Sequence, residues 1–293
     1  MSNTRQSLDP LLPRATDDPL DESDTFEPYE PTAPLANMGI SLSTARVLAP
    51  LSYVVDFACQ VYGMTSTPNM KDIHDRNLCA FSPQPFAIAG FFTPQQVIQL
   101  VWLRELFRPD AQVERGTVRY VPWYSLGNFC IAIWMIFWNK NDLKGSNVFV
   151  TINTLSQLYY LIAMRDPNPR TWQAKLTNIV NITFAGIGVL DLFHNTAAAY
   201  FPGVAPNTLT TIATVVAAPL TALVSPLLFG ACIAYDLFGV AIGQHQIAQK
   251  ALGAALKGAG GGGGEGWARL VGAVGVGVSA IVGARAWGGA KWL

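Results

Sequence analysis

The sequence predicts an all-α, polytopic membrane helical bundle of about six transmembrane helices, preceded by a disordered acidic N-terminal tail. Three observations carry that prediction. Of 293 residues, 51% are hydrophobic and only 13% are charged, with a mean hydropathy of +0.28, against about 25% charged residues in ordinary soluble domains. Carboxylates are unevenly placed, because eight of the 19 acidic residues fall in the first 30 positions. Apolar segments of about twenty residues then recur, the length that crosses ~30 Å of hydrocarbon at ~1.5 Å per residue.

Residues 1–42 contain DDPLDESD and PYEPTAP. Dense charge and few apolar side chains cannot offset chain entropy by burial, so this tail is expected to be disordered. It serves as a spacer or as an arm for a cytoplasmic partner. It is acidic rather than basic-then-apolar, so it does not read as a cleavable signal peptide. The bundle proper is expected over 43–249.

The first span runs from Arg46 to Met64, with Ser52, Asp56 and Gln60 on one line at i, i+4 and i+8. The following loop carries KDIHD around His74; without a second His or Cys nearby it reads as a solvated polar loop rather than a metal site. The second span, Phe86–Phe107, has the densest polar stripe. At 100° per residue, Phe91, Gln95, Gln99 and Trp102 share one side. A side-chain amide in hydrocarbon needs a partner, so this helix is expected to face other helices or a polar cavity. Phe92-Thr93-Pro94 reads as its opening turn, and Arg104, Arg108, Arg115 and Arg119 crowd its exit.

The third span is Tyr120–Trp138, with Pro122 in a first-turn position. Its Trp123, Tyr124, Trp134 and Trp138 lie near the ends, as interfacial aromatic belts do. The fourth, Ser146–Met164, aligns Asn153, Gln157 and Tyr160. The fifth, Leu176–Phe201, aligns Asn181, Phe184, Gly188, Asp191 and His194. The sequon at Asn181 lies inside that span, out of reach of glycosylation.

Residues 208–248 are too long for one span. Pro219 and Pro226 can kink or break a helix there. The favoured reading is one kinked helix, its end past Asp236 leaving the membrane, with two re-entrant halves as the alternative. Thr214, Thr221, Ser225, Cys232 and Asp236 share a face on the single-helix reading. Residues 250–266 form a Gly-rich linker. In the short apolar segment 267–293, Gly275, Ser279 and Gly283 make a small-xxx-small line; it reads as either a marginal seventh span or an interfacial segment.

Counting basic residues between six spans puts Arg46, Arg104, Arg108, Arg115, Arg119, Arg165, Arg170, Lys175, Lys250 and Lys257 on one side. Lys71, Arg76, Lys140 and Lys144 fall on the other. The positive-inside rule then places the N-terminus and the end of the sixth span in the cytoplasm.

An Asp at mid-helix costs about 2.5–3.5 kcal/mol, while an interhelical hydrogen bond returns about 0.6. Asp191 therefore marks a cavity, a ligand or a proton path, although Asp191 and His194 at i, i+3 can also satisfy each other. The candidate cavity residues are Asp56, Gln95, Gln99, Trp102, Asn153, Gln157, Asp191, His194 and Asp236, the amides doubling as candidate interhelical clamps. No nucleophile elbow, HExxH, Walker or dinucleotide pattern occurs, so no catalytic residue, metal or cofactor is expected. The four cysteines show no CxxC spacing, and no basic surface points to nucleic acid. These features predict a protein embedded in the lipid bilayer that binds or transports a small molecule. A membrane scaffold and a membrane enzyme are the alternatives.

The block FFTPQQVIQLVWLRELF followed by PWYSLGNFCIAIWMIFW resembles a group of uncharacterised fungal multi-span membrane proteins, over about Gly39 to Gln249. That resemblance implies a topology and no activity. The Phe92-Thr93-Pro94 turn leading to Trp102 is similar to the tryptophan-rich sensory (translocator) proteins, which implies a bundle pocket for tetrapyrroles or sterol-like molecules. The chain departs from that group in its longer sixth segment and in lacking dense Trp clusters.

Overall fold

The computed structural model describes residues 39–255 and 264–293. Most of the predicted tail, and residues 256–263 of the predicted Gly-rich linker, lie outside the described residues; 250–255 of that linker continue α8 and 264–266 open α9. Among the described residues the chain is all-α, in the order α1 (Leu42–Thr65), α2 (Met70–Arg76), α3 (Pro85–Glu105), α4 (Arg115–Asn139), α5 (Leu143–Tyr159), α6 (Trp172–Tyr200), α7 (Thr208–Val224), α8 (Leu227–Ala255) and α9 (Gly264–Trp287). Six of them, α1, α3, α4, α6, α8 and α9, are long and apolar enough to cross a membrane.

Local chemistry sets the helix ends. Ser41, Asp142, Thr171 and Asn207 each accept a backbone N–H of the first turn of α1, α5, α6 and α7, satisfying donors that a helix start leaves bare. Pro85 opens α3, where its missing N–H costs nothing. Asn141 takes the left-handed conformation (φ 57°) that lets α4 turn directly into α5.

The helices alternate in direction between two ends. At one end, Arg46 of α1 donates to the carbonyls of Leu106 and Arg108, both at 2.7 Å, and pairs with Asp110. The α7–α8 turn and the C-terminus lie there too, since Arg285 donates to Ser225 O (2.8 Å) and Lys291 to Asn168. At the other end, Gly203 N donates to Leu78 O, Gln244 to Cys79 O and Trp267 Nε1 to Ala80 O. The α2 segment, the α6–α7 turn, the end of α8 and the start of α9 therefore meet. Large apolar side chains such as Leu51, Val97, Ile152, Leu220 and Val276 remain exposed on the outer faces, as expected where lipid is the solvent.

Several boundaries differ from expectation. The 208–248 segment is not one kinked helix: α7 ends at Ser225, which is extended (φ −86°, ψ 169°), and α8 returns antiparallel to α7. Pro226 favours that extended residue before it. Lys250 consequently lies at the α2 end, near His74, opposite Arg46 rather than beside it. Arg285 and Lys291 join the basic end instead. The segment 268–284 lies within α9, a 24-residue helix along α8. Of its small line, Gly275 meets the Phe238 ring while Gly283 faces open space. Pro94 and Pro122 are interior to α3 and α4, which begin at Pro85 and Arg115, well before either proline. Tyr124 and Trp138 are buried in the core rather than placed in a belt.

Candidate functional site

The polar residues predicted inside the bundle separate into two groups with different chemistry. The first lies among α1, α3, α4, α5 and α6 around a buried aromatic stack, in which Trp102 contacts Tyr120 and Tyr124 and Tyr120 contacts Tyr160. Here amides clamp helices. Gln157 accepts from Tyr120 OH (2.8 Å) and donates to Trp123 O (2.8 Å), and Asn181 donates to it at 3.2 Å. Gln99 accepts from Tyr124 OH (2.8 Å), and Trp102 Nε1 donates to Thr177 Oγ1 (3.0 Å). Asp56 is buried and receives Gln60 Nε2 at 3.1 Å, with Gln96 of α3 beside it. Gln95 and Asn153 are buried with neither amide atom hydrogen-bonded.

The second group lies toward the α2 end. His194 does not pair with Asp191. Its ring packs 5.1 Å from His74 and 5.5 Å from Trp138, and its Nε2 makes no hydrogen bond. His74 is therefore no solvated loop residue: it is 6% exposed, and burial pushes its imidazole down to about 4. The signal for it was present as a capping box, Asn69 and Asp72 exchanging side-chain and backbone bonds across the first turn of α2, with Ile73 and His74 on the inner face.

Asp191 on α6 and Asp236 on α8 are both buried and within electrostatic reach of each other. Asp236 is 5% exposed, and neither carboxylate oxygen has a hydrogen-bond partner. It stands in the wall of a cavity of about 460 Å³ between α6, α7 and α8. The α7 wall is Thr210, Ala213, Thr214, Ala217 and Thr221, spaced along one helical face. Thr214 and Thr221 thus reach the same space as Asp236, as the sequence suggested, but across an antiparallel pair rather than along one helix. Cys232 instead packs against Gly186. Phe193, Phe201, Val204 and Leu209 also border the cavity and are largely exposed, so its mouth opens on an apolar surface. Sequence reasoning missed this rim and the two alanines; the signal was a helix with Thr and Ala at i, i+3, i+4, i+7 and large aliphatics opposite.

No group of three or more His, Cys, Asp or Glu able to hold a metal ion occurs among the described residues. All four cysteines are free. In comparisons with known proteins, no family model, no curated protein and no solved structure matches the chain.

Proposed function

We propose that this multi-pass membrane protein binds a small lipid-soluble molecule carrying an amine or hydroxyl donor in the α6–α7–α8 cavity, with Asp236 receiving the donor. The observation that carries this reading is the carboxylate of Asp236, buried with both oxygens unpartnered in an otherwise apolar wall. A buried acceptor left unpaired costs free energy, and a donor group on a ligand removes that cost. The volume lies within the range of small-molecule sites. At about 30 Å³ per water-sized group it holds about fifteen non-hydrogen atoms. The exposed apolar rim favours access from the bilayer rather than from bulk water.

The orientation proposed is the one that puts the end bearing Arg46, Arg104, Arg108, Arg115, Arg119, Arg165 and Arg170 in the cytoplasm, now joined by Arg285 and Lys291. The cavity then opens near the opposite face. An epitope placed after Gly203 and labelled from outside intact cells supports this orientation; labelling only after permeabilisation reverses it.

The binding reading is tested with decylamine, decanol and decanoate on the purified protein in detergent, by native mass spectrometry. Decylamine should bind tightest and decanoate weakest. Asp236→Asn should weaken decylamine roughly tenfold to a hundredfold, the loss of one hydrogen bond to a charged group, and Ala213→Leu, which adds bulk to the cavity wall, should weaken all three. Equal binding of decylamine by the parent and Asp236→Asn would sink the proposal.

A further inference from the structure

A second, chemically opposite site lies at the basic end. The start of α4, the end of α5 and the start of α6 surround an open pocket of about 880 Å³ lined by Arg115, Arg119, Arg165, Arg170, Thr171 and Asn178. Two of the guanidinium groups use little of their donor capacity. Arg119 Nη2 donates to Met164 O (2.7 Å) and Arg165 Nη1 to Asp166 O (3.3 Å), yet the Nε of each is buried without a hydrogen bond. The first turn of α4 also borders this pocket through Glu114, Arg115 and Gly116, with the Glu114 N–H donated to Gln173 Oε1 at 2.9 Å. The positive end of the α4 dipole adds potential of the same sign at this place. Glu114 and Asp166 supply the opposing carboxylates, but Asp166 Oδ1 is engaged by Asn168 N (2.8 Å). The local balance stays positive.

From this we infer that the pocket binds a phosphate group, held by the guanidinium groups of Arg119 and Arg165 that line it. Guanidinium forks match the geometry of phosphate oxygens. Basic pockets between membrane helices suit lipid head groups. The shared chemistry is a phosphate ester, whether it is part of a phospholipid or of a soluble compound. The five-residue π-helical end of α5, Tyr160–Met164, helps build the pocket by turning Tyr160 and the Met164 carbonyl toward Arg119.

The test uses the full chain in neutral detergent, with short-chain phosphatidylglycerol, glycerol 3-phosphate and short-chain phosphatidylcholine as probes, read by native mass spectrometry and thermal shift. Binding of phosphatidylglycerol at least tenfold tighter than glycerol 3-phosphate assigns the site to a lipid head group. Comparable binding of the two assigns it to a soluble phosphate. Arg119→Gln and Arg165→Gln should each weaken the preferred probe about tenfold. Arg170→Gln, on an exposed side chain, guards against a folding defect and should weaken it less. Failure of all three probes to bind, or unchanged affinity in a folded Arg119→Gln, Arg165→Gln double variant, overturns the inference; phosphatidylcholine binding as tight as phosphatidylglycerol shows that the phosphodiester itself, rather than the net head-group charge, is what is recognised. Decylamine binding is unaffected by these changes, so the two sites fail or stand separately.

Discussion

Gln95 and Gln157 look alike in sequence, both amides on the inner face of an apolar helix, yet the structure assigns them opposite effects on stability. The side chain of Gln157 takes part in three hydrogen bonds, to Tyr120, Trp123 and Asn181. At the average of about 0.6 kcal/mol per interhelical bond in a membrane protein, Gln157→Leu should lose about 2 kcal/mol. Gln95 is 2% exposed with neither amide atom bonded. Leaving a buried polar group unpaired costs about 1–3 kcal/mol, and replacing it with an apolar group of similar shape removes that cost. Gln95→Leu should therefore stabilise the protein by about that amount. Intrinsic tryptophan fluorescence during heating, in one detergent, reads both changes, at about 2–4 °C per kcal/mol for a chain of this size class. The reasoning fails if Gln95→Leu lowers the midpoint, because the amide must then hold a partner that Leu cannot replace. It fails equally if Gln157→Leu leaves the midpoint unchanged.

Acid should loosen the α2 end. His74 is held neutral by burial, with Lys71 and Lys250 acting in the same sense, Asp75 opposing, and His194 packed on its ring. Its protonation is pushed from the ordinary 6.5 down to about 4, so the undocked segment binds the proton first. Stability is then full above about pH 6.5 and falls as pH drops toward 4, by up to about 3 kcal/mol. Hydrogen exchange of the α2 amides across that range should show the loss, and His74→Phe should flatten it; a pH-independent exchange pattern in the parent would contradict the assignment. Two glycines form a second contrast. A Cβ on Gly243 would lie 2.5 Å from Ser82 O and Pro83 C, both backbone atoms, whereas one on Gly277 meets nothing within 4 Å. Gly243→Ala should destabilise by about 1–3 kcal/mol or more, and Gly277→Ala should be neutral or stabilising by up to about 1 kcal/mol. Thermal midpoints that fail to separate the two variants would refute the close approach of α8 to the 82–84 backbone.

Period and length made most helices legible. The first five predicted spans each coincide with a helix, although α5 is not among those long and apolar enough to cross a membrane and the sixth predicted span is two helices. Asp56, Gln95, Gln99, Asn153, Gln157, Asp191 and Asp236 are all buried as their spacing implied. Periodicity says which way a side chain points on its own helix and nothing about what stands opposite. Gln99 met Tyr124 and Gln95 met no donor, although the two are one turn apart. Proline was ambiguous for the same reason. Pro219 sits inside α7 without ending it, while Pro226 marks a reversal, and the difference lies in whether α9 offers a neighbour for the returning chain. The loss of one reversal moved Lys250 to the wrong end of the bundle. Asp191 and His194 share a face as expected, but the imidazole was taken by His74, a residue distant in sequence.

The cavity, unlike the amide cluster, follows from how α7 is held. Its ends are fixed: Asn207 caps the start, Gly203 N ties the preceding turn to Leu78 O, and Arg285 grips the carbonyls of Ala222 and Ser225 at its end. Along its length α7 packs on α9 and α8 but stands off α6. Large side chains such as Ile212, Val216, Leu220 and Leu223 point outward, where lipid solvates them as well as a core would, so no hydrophobic drive pulls them in. Apart from Leu209 at the rim, the cavity-facing side of α7 carries only Thr and Ala, and leucine at 213 or 217 would narrow the gap that alanine leaves. Asp236 then faces a space that end-tethering and small side chains keep open, and its carboxylate finds no hydrogen-bond partner among the described residues. The amide-rich centre lacks that combination: Gln99 and Gln157 are already bonded, and the bundle is closed around them. The binding reading therefore rests on the α7 wall and Asp236.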